Sequence, residues 1–110
     1  MYRDPEIAED TRARMLAWRH DIHANPETAF EEHRTANLVA NALMLMKIPV
    51  NRGLAGTGVV GTLKNGDGPS IALRADLDAL PLADCKDVPY RSSVAEVTHA
   101  CTSLLCSAFM

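Results

Sequence analysis

The feature that most constrains this fold is a change in hydrophobic periodicity at Pro49. Before it, apolar residues recur every three to four positions over residues 5–24 and 31–47, which predicts two amphipathic helices. After it, apolar residues come in short runs separated by glycine-rich turns, which predicts strands and hence an α/β fold. The strands are expected at residues 50–52, 58–63 and 70–75.

Two glycine-rich stretches are predicted to connect these strands. Gly53–Gly58 is expected to form a loop that leads into the second strand. Asn65-Gly66 is expected to turn a hairpin that pairs residues 58–63 with residues 70–75. The short strands that follow the two helices are thus predicted to include this hairpin.

The last of these strands is predicted to be buried. Ile71 and Leu73 lie two apart in an apolar run, so they face one side of a strand. We therefore expect the substitution Leu73→Ala to destabilise a folded chain by about 2–5 kcal/mol.

A pair of carboxylates, Asp76 and Asp78, directly follows this run. Residues two apart on a strand point to the same side, and the carboxyl end of a strand in an α/β sheet is where ligands bind. Two like charges held close together require a cation, a proton or bulk water. The pair therefore indicates a metal site, while an exposed Asp-x-Asp turn that ends at Pro81 explains the same residues for purely local reasons.

Two histidines, His20 and His23, stand three apart near the predicted end of the first helix. That spacing suits a metal, but no carboxylate or cysteine lies beside them in register. A helix C-terminus also favours positively charged side chains, and we prefer this interpretation.

Composition and charge exclude several classes of function. The chain has 47% hydrophobic and 23% charged residues, which is typical of a globular domain. Its formal charge of −3 gives no basic surface for a nucleic acid. No apolar run approaches the roughly 20 residues of a membrane helix, and no secretory signal opens the chain. Three cysteines form no disulfide framework, so we expect a cytoplasmic protein without nucleic-acid or membrane partners.

Five blocks of sequence carry a resemblance to a known family, and their order along the chain is also that of the family. The blocks are Arg19–Glu27, Phe30–Ala36, Gly56–Gly61, Leu73–Pro81 and His99–Cys101. Together they resemble the beginning of the metal-dependent amidohydrolases. That family includes hippurate hydrolases, N-acyl-amino-acid aminoacylases and the plant hydrolases of auxin conjugates.

The resemblance implies that residues 1–101 form the N-terminal portion of a zinc-exopeptidase-like catalytic domain. It implies hydrolysis of a small N-acyl amino acid by a hydroxide bound to a divalent metal, zinc or manganese. Cys101 matches the bridging metal ligand of the family, and Asp76 falls where related peptidases place a ligand histidine. Asp78 matches the acidic residue beside the metals, which orients a ligand and is the predicted catalytic residue.

The match to the family pattern ends after Cys101. The family continues with a Gly-His pair whose histidine is a ligand, whereas this chain has Thr102-Ser103. Residues 102–110 are a divergent apolar tail, which indicates a truncated or frameshifted product without the dimerisation domain of the family. Each metal of such a site needs about four ligands, so we expect this chain neither to hold the metals stably nor to be active.

Two other interpretations remain open at this stage. A hydrophobic strand followed by Asp-x-Asp also begins phosphohydrolases of the haloacid dehalogenase type, in which Asp76 would be the nucleophile and Asp78 the acid. That pair is expected close to the N-terminus, however, and here two predicted helices and a hairpin precede it. The other interpretation is a non-catalytic remnant that binds a partner through unpaired sheet edges and exposed apolar faces.

Overall fold

The computed structural model of the chain describes residues 7–100. Within this range it contains two helices, α1 (Glu9–Ala24) and α2 (His33–Leu45). Two strands follow, β1 (Val50–Leu54) and β2 (Gly58–Gly61). The predicted α/β arrangement of two helices followed by short strands is confirmed, and both helices lie within the ranges expected from the periodicity.

Helix α1 is defined by charge at its start and by an asparagine at its end. Glu9 and Asp10 lie in the first turn of the helix. Their carboxylates are stabilised there by the positive end of the helix dipole. Asn25 closes the helix, because its backbone N–H and its side-chain amide both donate to the carbonyl oxygen of Asp21, at 3.1 and 2.9 Å. The first residues of the predicted helix lie outside the described residues.

The strands β1 and β2 form an antiparallel hairpin, in which Val50 is paired with Gly61. The chain turns between Leu54 and Gly58, and Gly53 and Gly56 have positive φ angles of 90° and 94°, which glycine adopts without strain. The glycine-rich loop is therefore the turn of the hairpin. A short loop of this kind brings its two flanking strands together at a low entropy cost.

The predicted hairpin between residues 58–63 and 70–75 is wrong. Residues 70–75 form neither a helix nor a strand, because β2 pairs with β1 instead and the described chain offers the later segment no partner strand. The predicted burial of Ile71 and Leu73 is wrong for the same reason, since these side chains are 92% and 86% exposed.

Helix α2 packs over the hairpin, and Gly61 marks the closest approach. A Cβ atom on this glycine would lie 3.0 Å from Cδ1 of Leu43 and 3.3 Å from Cγ2 of Ile48. The apolar core is small, because the buried hydrophobic residues of the described chain are all alanines. They are Ala36, Ala40 and Ala79.

Two isolated bridges fix the later part of the chain, one to the turn between α1 and α2 and one within itself. Thr28 pairs with Ala79 in parallel orientation, and Leu80 pairs with Thr98 in antiparallel orientation. These bridges place the segment after Asp78 beside the turn that joins α1 and α2. None of the helices in residues 7–100 is long and apolar enough to cross a membrane.

Candidate functional site

The Glu27 carboxylate, from the turn after α1, caps the start of α2. Its Oε1 atom accepts hydrogen bonds from the backbone N–H of Thr35, at 2.6 Å, and from the Thr35 hydroxyl, at 2.7 Å. Its Oε2 atom accepts the backbone N–H of Arg34, at 2.9 Å. These N–H groups belong to the first turn of a helix, where they have no partner within the helix. The first sequence block is thereby bonded to the second.

The same contacts set the ionisation of Glu27. Burial acts to raise its pKa, but the hydrogen bonds from Thr35 and Arg34 and the positive charge of Arg34 outweigh burial and hold the pKa below its ordinary value. Arg34 is itself fixed by two hydrogen bonds from Nη2 to the carboxylate of Asp21, at 2.7 and 2.8 Å. Glu27 is therefore ionised at neutral pH and serves as a structural acceptor.

A second carboxylate, Glu32, connects the helices to the hairpin. It is buried, and its Oε2 atom accepts a hydrogen bond from the Thr57 hydroxyl at 2.6 Å. Burial acts to raise the pKa of Glu32, but the bond from Thr57 and nearby backbone N–H groups bring it below its ordinary value. This contact attaches the second sequence block to the glycine-rich turn, which belongs to the third.

The fourth and fifth blocks meet beside the first. The N–H of Ala79 donates to the carbonyl oxygen of Glu27 at 2.7 Å. Leu80 and Thr98 exchange two backbone hydrogen bonds, at 2.9 and 3.0 Å. Asp78 and His99 are the immediate neighbours of these bonded residues in the sequence. The structure thus brings the first and fourth blocks together, although Glu27 and Ala79 lie more than fifty positions apart in the sequence.

The two aspartates predicted for a metal site have different surroundings. Asp76 pairs with Arg74, whose Nη2 donates to Oδ1 at 3.1 Å, and both side chains are largely open to solvent. Asp78 is half-buried beside the buried Ala79. Cys101, the other predicted ligand, lies outside the described residues, so its proximity to Asp78 stays a prediction.

The described residues do not by themselves assemble a site that fits a metal. Within residues 7–100, no three side chains of His, Cys, Asp or Glu come close enough together to hold an ion. A pair of catalytic metals needs about four ligands for each ion. The dinuclear site implied by the sequence resemblance is therefore not completed in this part of the chain.

His99 is a half-buried polar residue next to the bonded pair Leu80 and Thr98. Its Nε2 atom, like Oγ1 of Thr98, is buried and has no hydrogen-bond partner within residues 7–100. Burial and then the charge of His23 lower the pKa of His99, while the carboxylates of Asp78 and Glu27 oppose that shift. No role for His99 was predicted from the sequence, although its position in the block that ends at Cys101 was a signal.

A buried pair, His23 and Asp84, was also missed by the sequence analysis. Nε2 of His23 lies 2.9 Å from Oδ2 of Asp84, and both side chains are almost fully enclosed. Asp84 also accepts the backbone N–H groups of Ser92 and Lys86, at 3.0 and 3.1 Å. These two N–H groups and then His23 lower the pKa of Asp84 to about 2. His23 therefore binds the segment around Asp84 to α1 through the Asp84 carboxylate.

Tyr90 completes the attachment of this later segment to α1. Its ring is stacked on His20, with the centroids 3.9 Å apart and the planes 4° from parallel, and it meets the edge of His23 at 5.7 Å. Ser93 donates its N–H and its hydroxyl to the carbonyl oxygen of Ala24, at 2.9 and 2.7 Å. The two histidines thus hold residues 84–93 against the end of the helix.

Comparison with known proteins gives several close relatives. The chain is 46% identical to "Hippurate hydrolase" of Campylobacter jejuni, in a match that covers 94% of this chain and 29% of that protein. It is 40% identical to "IAA-amino acid hydrolase ILR1-like 2" of Arabidopsis thaliana, over 79% of this chain and 20% of the relative. No family model matches the chain.

A solved structure matches as well. The chain is similar to the YXEP protein of Bacillus subtilis, described as a dinuclear metal binding peptidase from the M20 family, with a TM-score of 0.79 and 35% sequence identity. The match covers 86% of this chain and 27% of that structure. The chain thus spans less than a third of the length of each of these relatives.

Proposed function

We propose, on the basis of the confirmed relation of this chain to the metal-dependent amidohydrolases, that it contributes to an enzyme that hydrolyses the amide bond of N-acyl amino acids. One observation carries the proposal: four of the five sequence blocks are joined to one another by hydrogen bonds, and the residue that precedes the fifth is bonded to the fourth. Glu27 joins the first block to the second, and Glu32 joins the second to the third. The backbone N–H of Ala79 joins the fourth block to the first, and Leu80 bonds to Thr98, the residue directly before the fifth block.

The proposed roles of the site residues rest on their places in these blocks. Asp76 and Cys101 are proposed as metal ligands, and Asp78 as the residue that orients a ligand. Zinc or manganese is the proposed metal, and the cytoplasm is the proposed compartment because the three cysteines suit a reducing environment. Residues 7–100 do not bring three ligands together, so these residues alone define no catalytic step on a metal.

The 110-residue chain alone is proposed to be inactive. Ser103 stands where the family pattern has a ligand histidine, and Asp76 is engaged by Arg74. A metal-bound hydroxide requires a metal held at fixed geometry, so an incomplete ligand set removes the nucleophile and the Lewis acid together.

Amide hydrolysis is favoured over the two alternatives. The named relatives are hydrolases of amides and a peptidase, which favours amide over phosphate ester chemistry. No specific observation favours the haloacid dehalogenase type, in which Asp76 would attack a phosphate. The non-catalytic alternative agrees with the proposed inactivity of the isolated chain, and the exposed apolar residues Ile71 and Leu73 support it as a description of that chain.

A chimera tests the proposed function. Residues 7–101 of this chain would replace the matching segment of the Campylobacter jejuni hippurate hydrolase. We expect the chimera to hydrolyse hippurate and not p-nitrophenyl phosphate. We expect Asp78→Asn to lower kcat by about a hundredfold, as for loss of a group that supports a metal ligand, while the exposed control Asp67→Asn leaves it unchanged. A soluble chimera without amidase activity, or one with Asp76-dependent phosphatase activity, contradicts the proposal.

A further inference from the structure

An open groove of about 450 Å³ lies between α1 and α2. Trp18 of α1 lines it together with one stripe of residues from α2. Leu38, Ala42 and Leu45 are the apolar members of that stripe, at the three- and four-residue spacing that places side chains on one helix face. The volume falls within the range of about 300–1,000 Å³ that is common for binding sites in proteins.

The apolar side chains of this groove are open to solvent. Leu45 is 86% exposed, and Trp18, Leu38 and Ala42 are half-buried. Their apolar surface is continuous along the groove, because they line the same opening. A continuous exposed apolar surface with a polar rim is typical of a site that another segment or molecule covers.

The polar side chains that line the groove favour an uncharged occupant. Arg34 is the charged residue among them, and its Nη2 atom donates to both carboxylate oxygens of Asp21, at 2.7 and 2.8 Å. The side-chain oxygen of Asn37 accepts a hydrogen bond from Arg52. A charged ligand would lose its hydration in this groove without finding an unpaired opposite charge there.

The sequence of this chain contains a segment with the matching chemistry. The tail, residues 102–110, has no charged residue and carries four large apolar side chains, Leu104, Leu105, Phe109 and Met110. Burial of such side chains is favourable, because it removes apolar surface from water. The tail and the groove are therefore complementary in chemistry.

The described chain leads toward the groove through a short series of contacts. Thr98 exchanges two backbone hydrogen bonds with Leu80. The neighbouring Ala79 donates to the carbonyl oxygen of Glu27, and the Glu27 carboxylate accepts the N–H of Arg34, which lines the groove. Such a path covers about 20 Å at most. An extended chain covers about 3.3 Å per residue, so residues 104–110 can lie up to about 13–33 Å from Ala100, which is enough to reach the groove.

We propose that the tail occupies the groove between α1 and α2 of its own chain, with Leu105 and Phe109 packed against Trp18 and Leu45. A segment joined to its site by a short connection binds at a high effective concentration, so a modest apolar contact is sufficient. The inference concerns the packing of this chain and does not rest on the proposed function.

Disulfide trapping tests the position of the tail. Cys106 lies between Leu105 and Phe109, and the exposed Asn41 lines the groove. In the full chain with Cys85→Ser and Cys101→Ser, Asn41→Cys should form a disulfide with Cys106 in oxidised glutathione. The bond requires Cα atoms about 4.4–6.8 Å apart. Mass spectrometry of the digested monomer identifies the linked peptides.

Asp67→Cys in the same background provides a matched control, because Asp67 is also exposed and does not line the groove. The disulfide with Cys106 should form at least about tenfold faster from Asn41→Cys than from Asp67→Cys. Equal rates, or no disulfide in either variant, overturn the proposal. A disulfide that joins two chains also overturns it, because the tail of a second copy would then be the occupant.

The fluorescence of Trp18 gives a second measurement, since this residue is the single tryptophan of the chain. Leu105→Ser and Phe109→Ser keep the length of the tail, and each should lower the ratio of docked to free tail about tenfold or more. The emission of Trp18 should then shift to longer wavelength, and acrylamide should quench it more strongly. Circular dichroism verifies that the helices are intact. Unchanged emission and quenching in both folded variants contradict the proposed contact.

Discussion

The carboxylate of Glu27 accepts hydrogen bonds from both the backbone N–H and the hydroxyl of Thr35, at 2.6 and 2.7 Å. Thr35 is the largest fully buried side chain among the described residues. The turn after α1 and the first turn of α2 are thereby fixed to each other. Because Ala79 bonds to the carbonyl oxygen of the same Glu27, this residue connects both helices to the segment that carries the aspartates.

Removing the Thr35 hydroxyl tests this connection. Thr35→Val keeps the shape of the side chain and deletes one hydrogen bond to a carboxylate, so the free energy of unfolding should fall by about 1–3 kcal/mol. Urea denaturation followed by circular dichroism measures the change. The exposed Thr62→Val is the matched control and should stay within about 0.5 kcal/mol of the parent. Equal stability of the two variants contradicts a structural role for Glu27.

The free energy of unfolding should depend on pH through the ionisation of Asp84. Its pKa is about 2 in the folded chain against an ordinary value of 3.8, so folding favours the ionised form. The stabilisation is fully present above about pH 4 and is lost as the pH falls through about 2, since the unfolded carboxyl binds its proton first.

Denaturation at a series of pH values between about 4 and 2 measures this effect. Asp84→Asn should be less stable than the parent at neutral pH and should lose part of the decline in stability toward acid. Asp67→Asn, at an exposed position, should keep the decline of the parent. If Asp84→Asn and the parent lose stability in parallel, the bonds from Ser92, Lys86 and His23 do not stabilise the carboxylate.

The hairpin turn makes a specific prediction for Gly58. A Cβ atom at this position would lie 2.5 Å from the backbone oxygen of Leu54, which cannot move away as a flexible side chain does. Gly58→Ala should therefore destabilise the chain by about 1–3 kcal/mol. Gly68 has open space around it, so Gly68→Ala should leave stability unchanged or raise it by up to about 1 kcal/mol. Thermal unfolding of both variants distinguishes the two cases.

Because Leu73 is exposed, the stability loss expected for Leu73→Ala from the sequence no longer applies. Leu73→Ala should change the stability of the 110-residue chain by no more than about 0.5 kcal/mol, because little apolar surface is lost from the interior. Leu43→Ala should cost about 1 kcal/mol or more, since this leucine packs against Gly61 in the contact of α2 with the hairpin. A large loss of stability in Leu73→Ala would mean that the segment is buried in solution.

The helices were predictable because their signals are local. The periodic residues of α1 and α2 and the closing Asn25 lie within a few positions of the structure that they determine. The conformation of residues 70–75 was not predictable in the same way, because a strand needs a partner and apolar residues alone do not identify one. The glycines of residues 53–58 carried the turn signal of the real hairpin, which was assigned to Asn65-Gly66 instead.

The candidate site was predicted only in part for a similar reason. Asp76 and Asp78 were visible as a pair at the end of an apolar run. His23 and Asp84 are 61 positions apart, and no local sequence pattern predicts their contact. Glu27 looked like an ordinary turn residue, although it caps a helix that starts six positions later. Contacts between distant side chains follow from the assembled fold and not from the spacing of residues.

Activity of the purified 110-residue chain is the most direct test of the central proposal, which is that this chain alone does not hydrolyse N-acyl amino acids. The chain is incubated with zinc, manganese or cobalt and assayed on hippurate and on N-acetyl amino acids. We predict no turnover above that of the metal alone, because no three side chains of His, Cys, Asp or Glu within residues 7–100 cluster to hold an ion, and the sequence resemblance implies a ligand histidine where this chain has Ser103. Metal-dependent turnover that disappears in Cys101→Ala would contradict this claim and show that the chain completes a working site.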